Sequence, residues 1–433
     1  MPMNLTILAA GAAGMYCGSC LRDSALARAL IRAGHNVTLI PLYTTLRTDE
    51  QDVSIQQVFY GGLNTWLQHA IGLIFRHTPR FIDKLFDKPW MLNFAGKLGA
   101  NTPPAKLGPF TVSILKGHQG PQRKELRRLT AFLRDEIKPQ IVTLPNAMFL
   151  GVAPYLREQL KVPIVCELTG EDIFLDAMID PWKTQARDLM RQHTHHVDRF
   201  VATSNYYAEK MAEYLALPRS RIETIYPGIS REHLSDAPPL REPDHPPTVG
   251  YFARICPEKG LDRLYDAFKI LRTLPGMENA KLRAAGYLGK ANERWFVDLQ
   301  DRISRDGLAK HFLYFGEVDL AGKLAFLDSI DILSVPTAYE EAKGIFVLES
   351  LARGIPIVQP AHGSFRELIY TTGAGLLVPP NDPKKLAESL AELLRDPHRR
   401  MQFGLQGQSV VRSQFTDDHM AAKMLQLYEE LVR

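Results

Sequence analysis

The stretch from Ser334 to Pro356 reads SVPTAYEEAKGIFVLESLARGIP, and its order of apolar and polar residues decides the fold. It begins in a short apolar run that predicts a buried strand, continues through a polar loop, and then follows a helical pattern that ends near Gly354. In an open parallel sheet, a loop in this position lies outside the carboxyl end of the strand, where such sheets bind ligands. The stretch therefore predicts an α/β domain with a binding site in this loop.

This loop and the helix that follows it carry two carboxylates. Glu341 lies in the loop and Glu349 lies within the predicted helix. The N–H groups of Gly344, Ile345 and Phe346 fall in the first helical turn, which lacks intrahelical acceptors and favours an anion. Carboxylates for hydroxyl groups beside N–H groups for phosphate suit a sugar nucleotide. The alternative is a solvated acidic loop followed by an ordinary surface glutamate.

Glu341 and Glu349, separated by seven residues, resemble the Glu-x7-Glu signature of the family 4 retaining glycosyltransferases. Residues 352–356, Ala-x-Gly-x-Pro, are similar to the family's continuation, whereas Phe346 stands where proline is usual. The resemblance implies an α/β protein with two Rossmann-like domains facing a cleft, the glycosyltransferase type B fold. It also implies transfer of a hexosyl group from a nucleoside diphosphate sugar to an acceptor hydroxyl, with retention of anomeric configuration.

Length and composition are those of a globular protein with more than one core. At 433 residues, 45% hydrophobic and 23% charged, the chain suits two domains of roughly 200 residues each. Four cysteines do not form a disulfide scaffold, which indicates a reducing compartment. The N-terminal apolar run has no basic residue before Arg22 and predicts a first strand, and no run is long enough to span a bilayer. We therefore expect a cytoplasmic location.

A glycine-rich loop, 11–18, follows this first predicted strand and has three interpretations. A dinucleotide site is disfavoured because the second strand does not end in an acidic residue. A redox or metal-binding pair could use Cys17 and Cys20, although two cysteines alone cannot complete a zinc site. The third interpretation is a backbone loop that approaches a phosphate or an acceptor sugar. We favour the third, and the family resemblance implies that Gly18 closes over the donor phosphates.

Residues 61–128 are unusually basic and aromatic, with 11 Lys and Arg against 3 Asp and Glu. This segment could contact an anionic membrane surface, peripherally at the inner face, or a phosphate-bearing acceptor. Alternatively, its aromatic residues form the core of a helical insertion with a solvated basic face. No aromatic and basic motif of the RNA-binding kind is present, so nucleic acid is not an expected partner.

A second departure from the family occurs after another predicted strand of the first domain. The family commonly has a histidine before Gly170, where it contacts the transferred sugar, but this chain has Thr169. The resemblance then implies that Thr169, Glu171 and Asp172 contact the acceptor. The alternative for Asp172 is that it caps the helix that follows.

Proline and charge mark the domain boundary. Residues 235–247 read SDAPPLREPDHPP, which predicts a linker. With this boundary, the resemblance implies an acceptor-binding domain over 1–234 and a nucleotide-sugar-binding domain over 248–412. The resemblance implies that 413–433 form a helix that packs back on the first domain.

Two cations follow the first predicted strand of the second domain. Arg254 and Lys259-Gly260 match the family's Arg-x4-Lys-Gly element. Fixed positive charge at a strand end could stabilise the nucleoside diphosphate as it leaves with added negative charge. The resemblance then implies catalytic roles for Arg254, Lys259 and Glu341, with no metal ion and no cofactor. It also implies donor contacts from Glu349, and from Val318 at the nucleotide base.

Two other functions remain open at this point. One is a non-catalytic protein that binds sugar nucleotides, suggested by Thr169 in place of histidine. The other is a thiol redox protein that uses Cys17 and Cys20. The acceptor itself, whether carbohydrate, lipid-linked or a small molecule, is not indicated by the sequence.

Overall fold

A computed structural model describes residues 1–11, 18–48, 50–60, 104–242 and 245–433. The chain divides into two compact units. The first comprises Met1–Gly228 and Asp417–Arg433, and the second comprises Ile229–Thr416. Each unit is built on its own parallel sheet, so the α/β class predicted from the sequence is confirmed.

The strands of the first unit are β1 (Asn4–Ala9), β2 (Asn36–Pro41), β3 (Ile141–Leu144), β4 (Ile164–Leu168), β5 (Arg199–Ala202) and β6 (Ile222–Thr224). All pair in parallel, in the order β2-β1-β3-β4-β5-β6. Leu5 of β1 pairs with Val37 on one side and Ile141 on the other. Nearly continuous apolar runs suit strands that are covered on both faces.

Between Met1 and Gly228, the helices that the structure describes are α1 (Gly18–Arg32), α2 (Gly108–Leu115), α3 (Arg123–Phe132), α4 (Ala153–Leu160), α5 (Asp172–Asp176), α6 (Trp182–His193) and α7 (Asn205–Leu215). A π-helical segment, Leu133–Ile137, continues α3. Ser204 caps α7, since its side chain accepts from the N–H of Tyr207.

The second unit contains β7 (Thr248–Phe252), β8 (Lys281–Ala285), β9 (Phe312–Tyr314), β10 (Ile332–Leu333), β11 (Ile357–Pro360) and β12 (Gly375–Val378). Their order is β12-β11-β10-β7-β8-β9, again all parallel. Numbered within the unit this is the doubly wound order of a Rossmann fold, whose direction of winding reverses between β7 and β10.

Its helices are α8 (Leu261–Leu271), α9 (Glu293–Arg305), α10 (Leu320–Asp328), α11 (Ile345–Ala352), α12 (Ser364–Thr372), α13 (Pro383–Arg395) and α14 (Pro397–Gln414). The same unit contains the 3-10 turns Arg231–His233 and Pro257–Lys259. Asp319 and Asp382 cap α10 and α13 by accepting N–H groups of the first turn.

The last helix, α15 (Asp417–Val432), belongs to the first unit and packs on α1. Its Met424 and Tyr428 are fully buried in the same core cluster as Leu26 and Leu30 of α1. Tyr428 also forms a hydrogen bond of 2.8 Å with the hydroxyl of Thr143 in β3.

The linker over 235–247 stays a prediction. The described residues of this stretch fall in the second unit, where some of their polar groups are bonded. Gln408 donates to the hydroxyl of Ser235 at 2.6 Å, and Arg241 pairs with Asp331 at 2.9 Å. In the described ranges, no helix has the length and apolar character needed to cross a membrane.

Candidate functional site

The predicted donor residues come together where the winding of the second sheet reverses. β7 and β10 are hydrogen-bonded neighbours, and the loops that follow them leave the same edge of the sheet. Lys259 lies in the turn after β7, and Glu341 lies in the loop after β10. The Lys259 Nζ atom is 2.7 Å from Oε2 of Glu341, so a predicted cation and a predicted carboxylate form an ion pair.

This pair is largely shielded from solvent. The side chains of Lys259 and Glu341 are only 12% and 7% exposed. The Lys259 ammonium also lies 5.1 Å from the ring centroid of Tyr339 and 5.2 Å from that of Phe346. Such distances allow cation–π attraction, which is stronger where water is excluded. Phe346 thus places an aromatic ring beside the Lys259 ammonium, at the position where the family usually has proline.

Three further hydrogen bonds fix the position of Glu341. The Tyr339 hydroxyl donates to Oε2 at 3.1 Å, and the N–H of Lys343 donates to Oε1 at 3.3 Å. The N–H of Ser364, at the start of α12, donates to the backbone carbonyl of Glu341 at 2.8 Å. The carboxylate is thus held by its own loop and by the turn after β7, while its backbone is fastened to the next helix.

The charge of Glu341 follows from these contacts. Burial by itself raises the pKa of this carboxyl group, but the charge and hydrogen bond of Lys259 outweigh it and lower the pKa to about 2. Burial and the adjacent carboxylate both raise the pKa of Tyr339, while Arg254 opposes that rise. Arg254 is exposed and lies just after β7. Because its charge opposes the rise in the pKa of Tyr339, it acts on the same cluster.

A glycine allows the two loops to approach. Gly260 has a φ of +77°, and a Cβ atom there would stand 2.1 Å from the carbonyl oxygen of Pro336. Close to Gly260, a hydrogen bond of 2.8 Å from the N–H of Ala338 to the carbonyl of Glu258 joins the two loops. The Lys-Gly pair in the sequence thus places Lys259 against the loop that carries Glu341.

The start of α11 offers the predicted N–H donors. Gly344, with a φ of +65°, precedes the helix without a side-chain cap. In the part of the chain that the structure describes, the N–H groups of Gly344, Ile345 and Phe346 have no hydrogen-bond acceptor. They lie beside Lys259 and Glu341, and a helix start with unbonded N–H groups attracts an anion.

Glu349 lies one turn further along α11 and has partners that the sequence did not predict. Its Oε1 atom is 2.6 Å from Nζ of Lys323, which lies on α10. The Lys323 Nζ atom is also 3.2 Å from Nε2 of His233. All three residues are buried. The sequence contains a signal for Lys323, since it is the one charged residue in the helix LAGKLAFLD before its final Asp328.

Val318, predicted to contact the base, lies just before the Asp319 cap of α10 and is partly buried. It therefore precedes the helix that carries Lys323. Phe252, at the carboxyl end of β7, has its ring centroid 5.9 Å from the Lys323 ammonium. An apolar surface thus lies beside the Glu349 pair, at the same edge of the sheet.

The predicted acceptor residues of the first unit form an internal network. Oε1 of Glu171 accepts from the N–H of Ala147 at 3.0 Å, and Oε2 accepts from that of Thr169 at 2.7 Å. These bonds join the loops that follow β3 and β4. Burial raises the pKa of Glu171, and the N–H bonds oppose that rise. Both Thr169 and Glu171 are buried.

Asp172 is buried as well and is the first residue of α5, which has no side-chain cap. Its carboxylate accepts from the hydroxyl of Tyr207 at 2.8 Å and pairs with Lys210 at 2.8 Å. Asp172 therefore does not cap this helix, and its charge is already paired. An acceptor role for Thr169, Glu171 and Asp172 stays a prediction.

The glycine-loop predictions concern residues that are only partly described. Gly18 is the first residue of α1, and Cys20 is buried in the core of the first unit. Cys17 and the rest of the loop from 12 lie outside the described residues, and so does most of the basic segment, 61–103. Of its described part, Phe110 packs 6.2 Å from the ring of Tyr43.

No three His, Cys, Asp or Glu side chains lie close enough to hold a metal ion, within the ranges that the structure covers. Arg254, Lys259 and the N–H groups that begin α11 are groups that could meet a diphosphate. Positive charge and N–H donors both favour bound phosphate.

The chain also matches known proteins. The family model described as "Glycosyl transferases group 1" matches residues 235–410, and that described as "Glycosyltransferase Family 4" matches 104–233. A phosphatidyl-myo-inositol mannosyltransferase of Mycobacterium leprae is 32% identical over 205 residues, 47% of this chain and 52% of the relative. A GDP-mannose-dependent alpha-(1-6)-phosphatidylinositol monomannoside mannosyltransferase of Mycobacterium tuberculosis is 26% identical, over 55% of this chain and 63% of the relative.

The matched region thus spans between half and two thirds of each of these relatives. Among solved structures, Anabaena HepE in complex with UDP is similar with a TM-score of 0.66 and 15% identity, covering 99% of this chain and 100% of the other. At that identity the likeness concerns the fold, which is the glycosyltransferase type B fold. The two adjoining family matches and the residues assembled around Glu341 and Glu349 agree, and the chain belongs to the group 1 glycosyltransferases of family 4.

Proposed function

We propose that this protein transfers a hexosyl group from a nucleoside diphosphate sugar to an acceptor hydroxyl, with retention of anomeric configuration. The observation that carries the proposal is the Lys259–Glu341 pair, 2.7 Å apart where the second sheet reverses its winding. A cation for phosphate and a carboxylate for sugar hydroxyls lie side by side there, next to the start of α11.

In this proposal the diphosphate meets Arg254, Lys259 and the N–H groups of Gly344, Ile345 and Phe346. As the glycosidic bond breaks, negative charge grows on the leaving phosphate oxygens. Positive charges and N–H dipoles that are already in place stabilise that charge without reorganising. No metal ion is required for this step, because the chain's own groups supply the charge.

The two glutamates take different parts of the donor. Glu341 stays ionised at neutral pH, since its pKa is about 2, and it accepts hydrogen bonds from hydroxyls of the sugar. Glu349, one turn further along α11, accepts from the ribose hydroxyls. Phe252, whose ring lies 5.9 Å from the Lys323 ammonium, and Val318, just before α10, offer apolar contact to the base.

The names of the relatives suggest which substrates to test first. One is described as a phosphatidyl-myo-inositol mannosyltransferase, and another as GDP-mannose-dependent. We therefore propose GDP-mannose as the first donor and an inositol-bearing lipid as the first acceptor. UDP sugars come next, because a structure of similar fold holds UDP.

A thermal-shift screen against GDP, UDP, ADP and their mannose or glucose conjugates tests the donor site. A ligand that binds only the folded protein raises its melting temperature. We expect one nucleotide family to produce a shift, and Arg254→Ala to weaken it. Arg305→Ala, in the last turn of α9, is the matched control and keeps the shift.

The absence of any shift with the parent protein would contradict a donor site for these nucleotides. A second assay separates an enzyme from a non-catalytic binder, the function suggested by Thr169 in place of histidine. An enzyme hydrolyses its donor slowly without acceptor, whereas a binder does not. The anomeric configuration of the product, read by NMR, tests retention.

A further inference from the structure

A buried lysine and histidine accompany Glu349, and the proposed reaction gives neither of them a role. Lys323 comes from α10, Glu349 from α11, and His233 from the 3-10 turn Arg231–His233. Their relative exposures are 3%, 5% and 3%. Three separate elements thus converge on one carboxylate at the predicted ribose position.

The hydrogen-bond chemistry of this cluster is directional. A lysine ammonium has only hydrogens to donate. It therefore donates to Oε1 of Glu349 at 2.6 Å and to Nε2 of His233 at 3.2 Å. Nε2 must then be the acceptor, which leaves the imidazole proton on Nδ1. The lysine is thus held from two sides.

The two oxygens of Glu349 consequently differ. Lys323 occupies Oε1, while Oε2 accepts no hydrogen bond from the described part of the chain. The hydrogen bond from Lys323 to Oε1 limits rotation of the carboxylate. Oε2 is left as the atom that a ligand can reach.

We propose that Lys323 is a positioning residue that orients Glu349 so that Oε2 receives the ribose hydroxyls of the donor. This inference rests on the proposed function, since it concerns the same nucleotide site. Lys323 acts through Glu349 and does not contact the ligand. Its removal should therefore change recognition of the ribose hydroxyls more than recognition of the phosphates or the base.

The experiment compares GDP, UDP and ADP with their 2′,3′-dideoxy forms by calorimetry. A hydrogen bond to a charged group is strong enough for the parent to prefer the ribonucleotide by about tenfold or more. We expect Lys323→Met to reduce that preference to within about threefold while binding of the dideoxy form changes little. Lys269→Met is the matched control. Lys269 lies on α8 and pairs with Asp306 at 2.9 Å, so this variant should keep the parent's preference for the ribonucleotide.

A double-mutant cycle tests whether Lys323 acts through Glu349. In a Glu349→Gln background, adding Lys323→Met should leave the remaining ribose preference unchanged, because the two changes share one interaction. A further loss in the double variant would overturn the proposal, since Lys323 would then contact the nucleotide itself. If Lys323→Met kept the parent's preference for the ribonucleotide, the proposal would also be overturned. The Lys323–Glu349 pair would then only join α10 to α11.

Loss of the lysine leaves a buried charge, so Lys323→Met could fail to fold. Lys323→Arg keeps the charge and the fold, but its planar fork moves the carboxylate. We expect a folded protein with a reduced ribose preference, and an unchanged preference would overturn the proposal. If the parent binds none of these nucleotides, the proposed function fails and this inference fails with it. If the parent binds one of these nucleotides and the variants keep its ribose preference, this inference is refuted while the proposed function stands.

Discussion

Lys259 and Glu341 neutralise each other before any donor arrives, and this pair controls the electrostatics of the candidate site. Both side chains are largely buried, so either one alone would leave a costly unpaired charge. A diphosphate carries more negative charge than one carboxylate and competes for Lys259. In the proposed reaction, that exchange of partners releases an oxygen of Glu341 for a sugar hydroxyl. The resting ion pair therefore keeps both groups charged and oriented.

Replacing Lys259 by alanine tests this at the level of turnover. Loss of one charge-stabilising donor should raise the activation barrier by about 2–4 kcal/mol. The measurement is kcat for glycosyl transfer, with circular dichroism to confirm that the variant is folded. Lys269→Ala, on the surface of the same unit, should match the parent. A kcat for Lys259→Ala within about twofold of the parent would remove Lys259 from the mechanism.

Glu341 also makes stability depend on pH. Its pKa in the folded protein is about 2, below the ordinary value of 4.5, so its ionised form stabilises the fold above pH 4.5. This contribution is lost as the pH falls from 4.5 towards 2. We expect the difference in unfolding free energy between the parent and Glu341→Gln to shrink over that range by on the order of 3 kcal/mol.

Urea unfolding from about pH 7 to pH 3 measures this difference, and about 2 kcal/mol of the expected change falls above pH 3. Glu340→Gln removes the exposed neighbouring carboxylate and is the control for losing a negative charge from this loop. A parallel pH dependence in parent and Glu341→Gln would show that Lys259 does not hold Glu341 ionised in the folded state.

At the scale of elements, the loops after β7 and β10 form the site because their backbones nearly touch. Neighbouring parallel strands bring their carboxyl ends to one edge, but the remaining approach depends on Gly260. The start of α12 adds a bond from Ser364 to the carbonyl of Glu341. Three neighbouring loop regions of the sheet edge thus hold one residue, Glu341, two through its carboxylate and one through its backbone.

Gly260→Ala should separate these loops, and Gly276→Ala provides a matched control. The two glycines have φ values of +77° and +78°, so alanine meets the same backbone strain at both. Only at Gly260 does the added Cβ meet backbone, 2.1 Å from the Pro336 oxygen, since nothing lies within 4 Å at Gly276. We expect Gly276→Ala to lose about 1 kcal/mol of stability and Gly260→Ala at least about 2 kcal/mol more. Equal losses in urea unfolding would show that the loops can separate freely.

At the scale of the whole molecule, the chain leaves the first unit at Gly228 and returns to it at Asp417. The returning helix α15 fills the core beside α1, where Met424 and Tyr428 are fully buried. Arg32 of α1 pairs with Asp417 at 2.8 Å at the point of return. The first unit is therefore completed only by residues that follow the whole second unit in sequence.

Met424→Ala tests how strongly α15 contributes to the first unit. Truncation of a fully buried methionine typically costs about 2–5 kcal/mol, because the cavity does not close completely. Lys423→Ala, an exposed neighbour on the same helix, should change stability by less than about 0.5 kcal/mol. Similar urea unfolding of the two variants would mean that α15 is not part of the cooperative core of the first unit.

Local sequence patterns were sufficient for most elements of the fold. The apolar runs 141–144 and 375–378 predict buried parallel strands, and these bounds are those of β3 and β12. The cap at Asp382 follows from an acidic residue before proline. The apolar run 332–335 predicts a longer strand than β10, Ile332–Leu333. The ladder ends because the N–H of Val335 donates to the side chain of Gln359 at 3.1 Å and not to a strand backbone.

By itself the sequence determined the two-sheet α/β fold, the family and the residues that meet after β7 and β10. These follow from spacing within short segments, where each residue's neighbours are set by the chain. The tertiary structure decided that Lys259 pairs with Glu341, that Lys323 and His233 hold Glu349, and that Glu171 joins two loops of the first unit. These contacts join residues distant in sequence, and packing alone sets which charges are buried together.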